Sequence, residues 1–456
     1  MNTKQTPVAV TECNRSPWSL SSVRRRKLVG NFLGGRLTSD AGALLLREVD
    51  KELGLTQKLA DCISDTRHPS YVRHSLVHML RQRIGAIALG YEDLNDHTTL
   101  RQDPVMQVLA EQPQGTSLAS PATLCRLENG INRPALGKMA EVLVEQFIAS
   151  FKTPPDRLVL DFDATDALVH GHQVGRFFHG YYDHYCFLPL YVFCGEQLLV
   201  AYLRPAKIDA AKHSRAILKL LVQRFRQVWP DVPIVFRGDS GFCRWRLLRW
   251  CDRHQVGYIV GLARNPALVR LGQDLITQAN VAFEQTQHKQ RLFGDLLYGA
   301  QSWDRPRRVI IKAEHLDQGA NTRFLVTNLS GDPQRLYDGL YCQRGDMENR
   351  IKEQQLYLFA DRTSCHAFLA NQFRVLLSAA AYVMIDHLRR VHLSGTDLAR
   401  AQVETLRVKL FKVAARVTQS ARRVVFHLCS SYPYQALFLQ VVGRLQPARN
   451  PAFAFP

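Results

Sequence analysis

The sequence predicts an α/β fold in which a core of mixed strands and helices is interrupted by a mainly β insertion and preceded by a helical N-terminal region. Three observations predict it. The hydrophobic period is helical from about residue 40 to 150 and becomes short and strand-like from Arg157. Strand and helix patterns then alternate as far as GYIVGLA at 257–263. A run of strand-like segments follows before helical spacing returns at LYCQRGDMENRIKEQQLYLF. The chain has 456 residues, more than one core usually serves, so several structural units are expected.

The elements follow in order. DAGALLLREVDKELG and SLVHMLRQRIGAIALG carry apolar residues at helical spacing between polar connections, giving a helical region over 1–150. LVLDFDAT, FLPLYVF and QLLVAYL are short and rich in β-branched or aromatic residues, which predicts three adjacent strands. AAKHSRAILKLLVQRFRQVW then reads as a helix, PIVFRGD as a buried strand, RWRLLRWCDRHQ as a helix and GYIVGLA as a strand. These complete the first part of the core, 151–281. RLFGDLLYGAQSW, RRVIIKAEH and TRFLVTNLSG predict the β-rich insertion, 282–336. The second part of the core, 337–395, is helical, and 396–456 forms a basic C-terminal region with nine Lys or Arg from Asp397 onward against two acids.

Charge narrows the function. Lys and Arg number 59 against 40 Asp and Glu, a net charge of +19, which favours a polyanionic partner through counterion release from phosphates. Nucleic acid is the first candidate partner, an anionic membrane the second. The longest apolar stretch, Val375 to Ile385, is bounded by Arg374 and Asp386 and is too short to span a membrane. It predicts a buried core helix. The N-terminal MNTKQTPVAVTECNRSPWSL has no continuous apolar run, so no secretory signal is expected and the chain is expected in the cytoplasm. Ten cysteines without a C-x-x-C pair fit reduced thiols better than a disulfide framework or a zinc ribbon.

Three carboxylates stand out by position. In LVLDFDAT the strand period places Asp161, Asp163 and Thr165 on one face and Leu160, Phe162 and Ala164 on the other. A lone D-x-D is as readily a pair of half-exposed acids held by arginine. PIVFRGDSGF ends a strand on Asp239, where α/β folds place active groups, although an aspartate there also serves to cap the next helix. On a helix, Arg344, Glu348, Lys352 and Gln355 share one face, a pattern that ordinary i,i+4 ion pairs also produce. No one of these acids carries a catalytic reading by itself.

Their order along the chain does. An acid on an early strand, one ending a later strand and one on a helix beyond a β insertion together resemble the DDE transposases of bacterial insertion sequences. Asp163-Ala164-Thr165 is similar to that family's first-strand D-x-T, and RGDSGF at 237–242 to its second-aspartate motif. Tyr341, Arg344 and Glu348 match the signature Y-(2)-R-(3)-E-(6)-K, with Gln355 where the family has lysine and Lys352 one turn from Glu348. HGHQVGRFFHGYYDHYCFLPLYVF resembles the group-1 subset, and the likeness runs from roughly residue 20 to 440. Its histidines are expected in paired strands and turns rather than at a metal.

The resemblance implies a ribonuclease-H-like core in which Asp163, Asp239 and Glu348 hold two Mg²⁺ or Mn²⁺ ions, cut the element's ends and join the freed 3′-hydroxyls to target DNA. Asp161 is the alternative first ligand, about 7 Å from Asp163 by strand rise. Tyr341 and Arg344 are then expected at the terminal phosphates, with Lys352 nearby. A homodimer is expected, since two DNA ends must meet, in a bacterial cytoplasm beside the nucleoid.

Sequence-specific binding to terminal inverted repeats is expected from the N-terminal region. There SLASPATLCRLENG offers a short helix carrying Arg126, which alternatively packs Leu124 and Leu127 inward. Arg24, Arg25, Arg26 and Lys27, with Arg407, Lys409, Lys412, Arg416, Arg422 and Arg423, are the expected phosphate contacts. A ribonuclease-H-like nuclease without strand transfer, and a catalytically inactive DNA-binding relative, are the competing functions.

Overall fold

The computed structural model of the protein describes residues 17–446. The outermost parts of the two terminal regions, 1–16 and 447–456, lie outside the described residues. The N-terminal region has helices α1 (Ala43–Leu53), α2 (Leu76–Leu89), α3 (Pro121–Asn129) and α4 (Arg133–Ala149). It is not helical throughout. An exposed hairpin, Trp18–Val23 with Arg26–Gly30, comes first, and the strand Arg36–Thr38 pairs antiparallel with Ala415–Gln419 near the other end of the chain.

The central sheet is built from β1 (Leu158–Ala164), β2 (Leu190–Cys194), β3 (Gln197–Tyr202), β4 (Ile234–Gly238), β5 (Gly257–Leu262), β6 (Gln290–Tyr298), β7 (Arg307–Leu316) and β8 (Arg323–Thr327). Their order is β6-β7-β8-β5-β4-β1-β2-β3, with Gly319–Ala320 pairing on β7. β1, β4 and β5 run parallel to one another, and every other pairing along this path is antiparallel. The segment expected as an insertion therefore joins the sheet: β8 pairs directly with β5, so β6 to β8 extend the core strands sideways.

Strand periodicity sets the two faces. Leu158, Leu160 and Phe162 of β1, with Ile234 and Phe236 of β4, point into one core that also holds Leu218, Leu221 and Phe225 of α5 (Ser214–Val228) and Leu247 and Leu248 of α6 (Trp245–Arg253). α7 (Gln273–Thr286) adds Ile276 and Ala279 to that face. The opposite face, which carries Asp161 and Asp163, is covered by the stretch from Tyr337 to α8 (Gly345–Lys352) and by α9 (Phe368–His387).

α9 is the apolar helix read from the sequence, and its residues from Ala370 to Tyr382 are all buried. It shares its core with Leu45, Leu46 and Val49 of α1, Leu80 and Ile84 of α2, and Val441 of α10 (Gln435–Leu445), so the N-terminal and C-terminal helices close over one helix. Among the described residues all nine cysteines are free thiols.

Candidate active site

Register decides which acids meet. β4 lies parallel to β1 with Arg237 beside Asp161 and Gly238 beside Phe162, so one residue further on Asp239 leaves the strand next to Asp163. The third acid arrives on α8. Met347 and Ile351, four apart, are buried beneath that helix, and Glu348 lies on its open side. The helix is pinned at its far end by Glu353, buried between Arg350 at 3.1 Å and Arg389 at 3.0 Å, with one oxygen also accepting the Val403 amide.

Arg344 stands at the centre. Its guanidinium lies 3.0 Å from Glu348 Oε1, 3.4 Å from Asp163 Oδ2 and 4.0 Å from Asp239 Oδ2. The other oxygen of each aspartate is used to fix its direction: Asp163 Oδ1 accepts from the Ala164 amide at 2.9 Å and Asp239 Oδ1 from the Gly241 amide at 2.9 Å. Asp239 therefore caps the Ser240–Phe242 turn and faces the cluster at once.

Burial sets the electrostatics. It raises the Asp163 carboxyl from 3.8 to about 6, with Arg344 opposing the rise and the charges on Asp239 and Glu348 adding to it. Burial alone would lower the Arg344 guanidinium, but Asp163, Asp239 and Glu348 together hold it above its ordinary value. Burial also raises Tyr341, with Arg344 opposing. The Tyr341 hydroxyl is packed against Gly261, where an added Cβ would come within 2.9 Å of it and 2.8 Å of the Ser240 amide nitrogen.

The structure separates the two aspartates of β1. Asp161 is 2% exposed and is held at both oxygens by Nε and Nη2 of Arg237, whose Nη1 donates to the Leu340 carbonyl. That pair ties β1 to β4 and to the turn before α8, leaving Asp163 as the aspartate of this strand that faces the cluster. Gln355 donates to the Asp166 carbonyl at 2.7 Å, joining α8's continuation to the loop after β1, and Lys352 is exposed without an ion pair among the described residues. The histidines follow the strand reading: His179 and His184 are cross-strand partners, and His184 lies 2.7 Å from Asp166.

Basic residues gather at three places, one of them beside the site. Beside Asp239 opens a cleft of about 510 Å³ bounded by Tyr341, Gly261, Arg264 and Arg323. The strand cations Arg291, Arg307, Arg308 and Lys312 are each tied to a carboxylate, whereas Arg264 and Arg323 have no such partner among the described residues. Sequence reading missed both, although Arg264 follows the end of a buried parallel strand, where α/β folds place active groups. A second groove of about 920 Å³ borders α3 and is lined by Arg67, Arg73, Arg101 and Arg126. In α3, Leu124 is buried and Leu127 partly buried, while Arg126 is exposed.

The third surface joins the ends of the chain. Arg24 to Lys27 form the exposed tip of the first hairpin, and Arg416, Arg422 and Arg423 are exposed on the hairpin that pairs with Arg36–Thr38. Arg407 is no surface contact: it is buried, paired with Glu404 at 2.6 Å, and donates to the Ala88 and Tyr357 carbonyls. Lys412 is held by Asp40 at 2.6 Å over the Tyr91 ring, and Lys409 lies over the Tyr434 ring.

Comparison with known proteins gives the family of the chain. The family described as transposase DDE domain group 1 matches residues 20–450. No curated protein matches the chain. Among solved structures, the chain is similar to a piggyBac transposase synaptic complex with hairpin DNA, at 11% identity and a TM-score of 0.44, over 91% of this chain and 83% of that one. The match over nearly the whole chain places this protein in the DDE transposase family, group 1.

Proposed function

We propose that the protein is a DNA transposase that binds the terminal inverted repeats of an insertion sequence, cleaves the element's ends and joins the 3′-hydroxyl ends to target DNA. The observation that carries this reading is the convergence of Asp163, Asp239 and Glu348, from three separate elements, on one cation. The order β3-β2-β1-β4-β5, antiparallel then parallel, supports a ribonuclease-H-like core. Reaction class rests on the site rather than on that core.

The donor set fits the metal the family implies. Three carboxylates offer hard oxygen ligands, and a guanidinium already occupies the point where positive charge is best stabilised. Two Mg²⁺ or Mn²⁺ ions would supply Lewis-acid charge and an activated nucleophile for phosphodiester displacement. Asp163, Asp239 and Glu348 would hold them. Arg344 would then give up its place among the acids, and its fork of donors is suited to the phosphate oxygens brought to the site. Tyr341, beside Asp239, offers a hydroxyl to the same group.

Arg264 and Arg323 line the route by which the strand beyond the scissile phosphate would leave Asp239. Arg126 with the α3 groove, the Arg24 to Lys27 tip and the Arg416, Arg422 and Arg423 hairpin would contact the rest of the duplex. Joining two ends calls for two copies of the chain, so the working assembly is a homodimer. Incubating the protein with DNA carrying the repeats that flank its coding region, a target plasmid and Mg²⁺ tests the reading. Joined products are expected; cleavage without joining would instead identify a nuclease, and binding without cleavage an inactive relative.

A further inference from the structure

We propose that Glu52, His387 and His392 form a zinc-class metal site that fastens α1 to the end of α9, apart from the carboxylate cluster. It begins with the backbone. His387 ends α9, and the chain then makes a wide turn over Leu388–His392, closed by the Leu393 amide donating to the Leu388 carbonyl at 2.9 Å. A turn of i→i+5 type brings residues five apart onto one side, where a regular helix would splay them. The two imidazoles accordingly lie 5.5 Å apart, centre to centre.

Both rings direct Nε2 at a single carboxylate. Glu52, from the last turn of α1, has Oε1 at 3.1 Å from His387 and Oε2 at 2.8 Å from His392. One donor atom from each residue lies within 4.8 Å of the other two. A tetrahedral zinc with ligands at about 2.1 Å keeps its donors roughly 3.4 Å apart, so closure needs shifts of well under a side-chain length. In the protein alone the donors are joined by N–H···O bonds. Metal binding would move each imidazole proton to Nδ1 and leave the Nε2 lone pairs facing the ion, with no net proton lost from neutral rings.

The surroundings permit this. The Glu52 side chain is 44% exposed while His392's is 5% exposed, so the ion has a route from solvent to a partly buried seat. Glu52 and His387 also border a cavity of about 200 Å³, enough to seat a water as a further ligand. Two cations share that cavity, but both are engaged elsewhere. Lys58 donates to the Leu53 carbonyl at 2.9 Å, and Arg390 donates to Asp386 at 2.6 Å and to Gln197 at 3.1 Å.

Two imidazoles and one carboxylate select zinc-class ions, whereas Mg²⁺ prefers the all-oxygen donor set at Asp163, Asp239 and Glu348. The two sites are thus separable by metal. A bound ion would link α1 to α9, and through Arg444, which donates to the His392 carbonyl at 2.8 Å, to α10. Its role is a clasp on the helical core shared by both ends of the chain.

Zinc titration of the full-length protein by calorimetry, in buffer with excess Mg²⁺, tests this. One zinc ion per chain is expected, with a zinc-dependent rise in thermal midpoint. Glu52→Gln and His387→Gln, which keep the fold's shape, should each weaken zinc affinity by roughly tenfold to a hundredfold or more. A variant with Asp163, Asp239 and Glu348 all changed to amides should bind zinc as the parent does. Absence of saturable zinc binding, or binding unchanged in both single variants, or binding abolished only by the triple change, would overturn the proposal. None of these outcomes depends on transposition, so the clasp and the transposase reading fail or stand separately.

Discussion

Replacing Asp163 by asparagine is expected to stabilise the metal-free protein at neutral pH while abolishing strand cleavage. Burial raises this carboxyl from 3.8 to about 6, so keeping it ionised in the fold works against stability. The sign follows from proton binding: the folded value lies above the unfolded one, so its contribution is fully present below about pH 4 and is lost as pH rises through about 6. At about 1.36 kcal/mol per pH unit the loss reaches about 3 kcal/mol above pH 7. The side chain is 15% exposed, so little of that is screened by water. The amide of the D163N variant carries no charge and escapes the loss. Urea unfolding in EDTA, followed at about pH 5 and about pH 7.5, should show the advantage of D163N over the wild type growing by about 1.4 kcal/mol between those conditions. An advantage that stays constant with pH, or shrinks, would refute the electrostatic account of this site.

Three further predictions rest on neighbouring contacts. Asp161→Asn breaks a buried bidentate pair with Arg237 and should destabilise the fold by about 3–5 kcal/mol, measured by urea unfolding, in contrast to the change two residues on. Gly261→Ala pushes a methyl toward the Ser240 amide and the Tyr341 hydroxyl, and should cost about 1–3 kcal/mol of stability and slow cleavage; wild-type activity would mean that this wall is loose. Arg264→Ala with Arg323→Ala should flatten the slope of log affinity against log salt by roughly 1.8 for a duplex carrying the element's end, if each meets a phosphate. An unchanged slope would place the strand elsewhere.

Much of this was legible in the sequence because it depends on local period. The alternation in LVLDFDAT fixed which face of β1 is acidic, and the spacing of Arg344 and Glu348 fixed their common side on α8. Which aspartate faces the cluster was not legible. It depends on the β1–β4 register, which sets Arg237 beside Asp161, and register is a property of two strands whose paired residues lie 76 apart in the chain.

The same limit hid the joining of the chain's ends through Arg36–Thr38 and Ala415–Gln419, and the continuity of β5 with β8. A strand-rich stretch reads alike whether it forms its own layer or extends an existing sheet. The basic C-terminal run shows a further loss of information. Arg407 and Arg416 look equivalent in composition, yet one fills the core between carbonyls and the other lies on an exposed hairpin. Arg344, expected at phosphates, neutralises the acids in the DNA-free protein, because three carboxylates cannot converge in a half-buried space without a counter-charge.

In the proposed function Asp163, Asp239 and Glu348 act as one metal-dependent phosphoryl-transfer site. Cleavage and joining of end-bearing DNA in Mg²⁺, measured for the wild type and for D163N, D239N and E348Q, tests it most directly. Each single change should reduce both steps together by roughly a thousandfold, about 4 kcal/mol of transition-state stabilisation, with the folded protein still binding DNA. Retention of cleavage by any one of the three, or loss of one step without the other, would contradict the account.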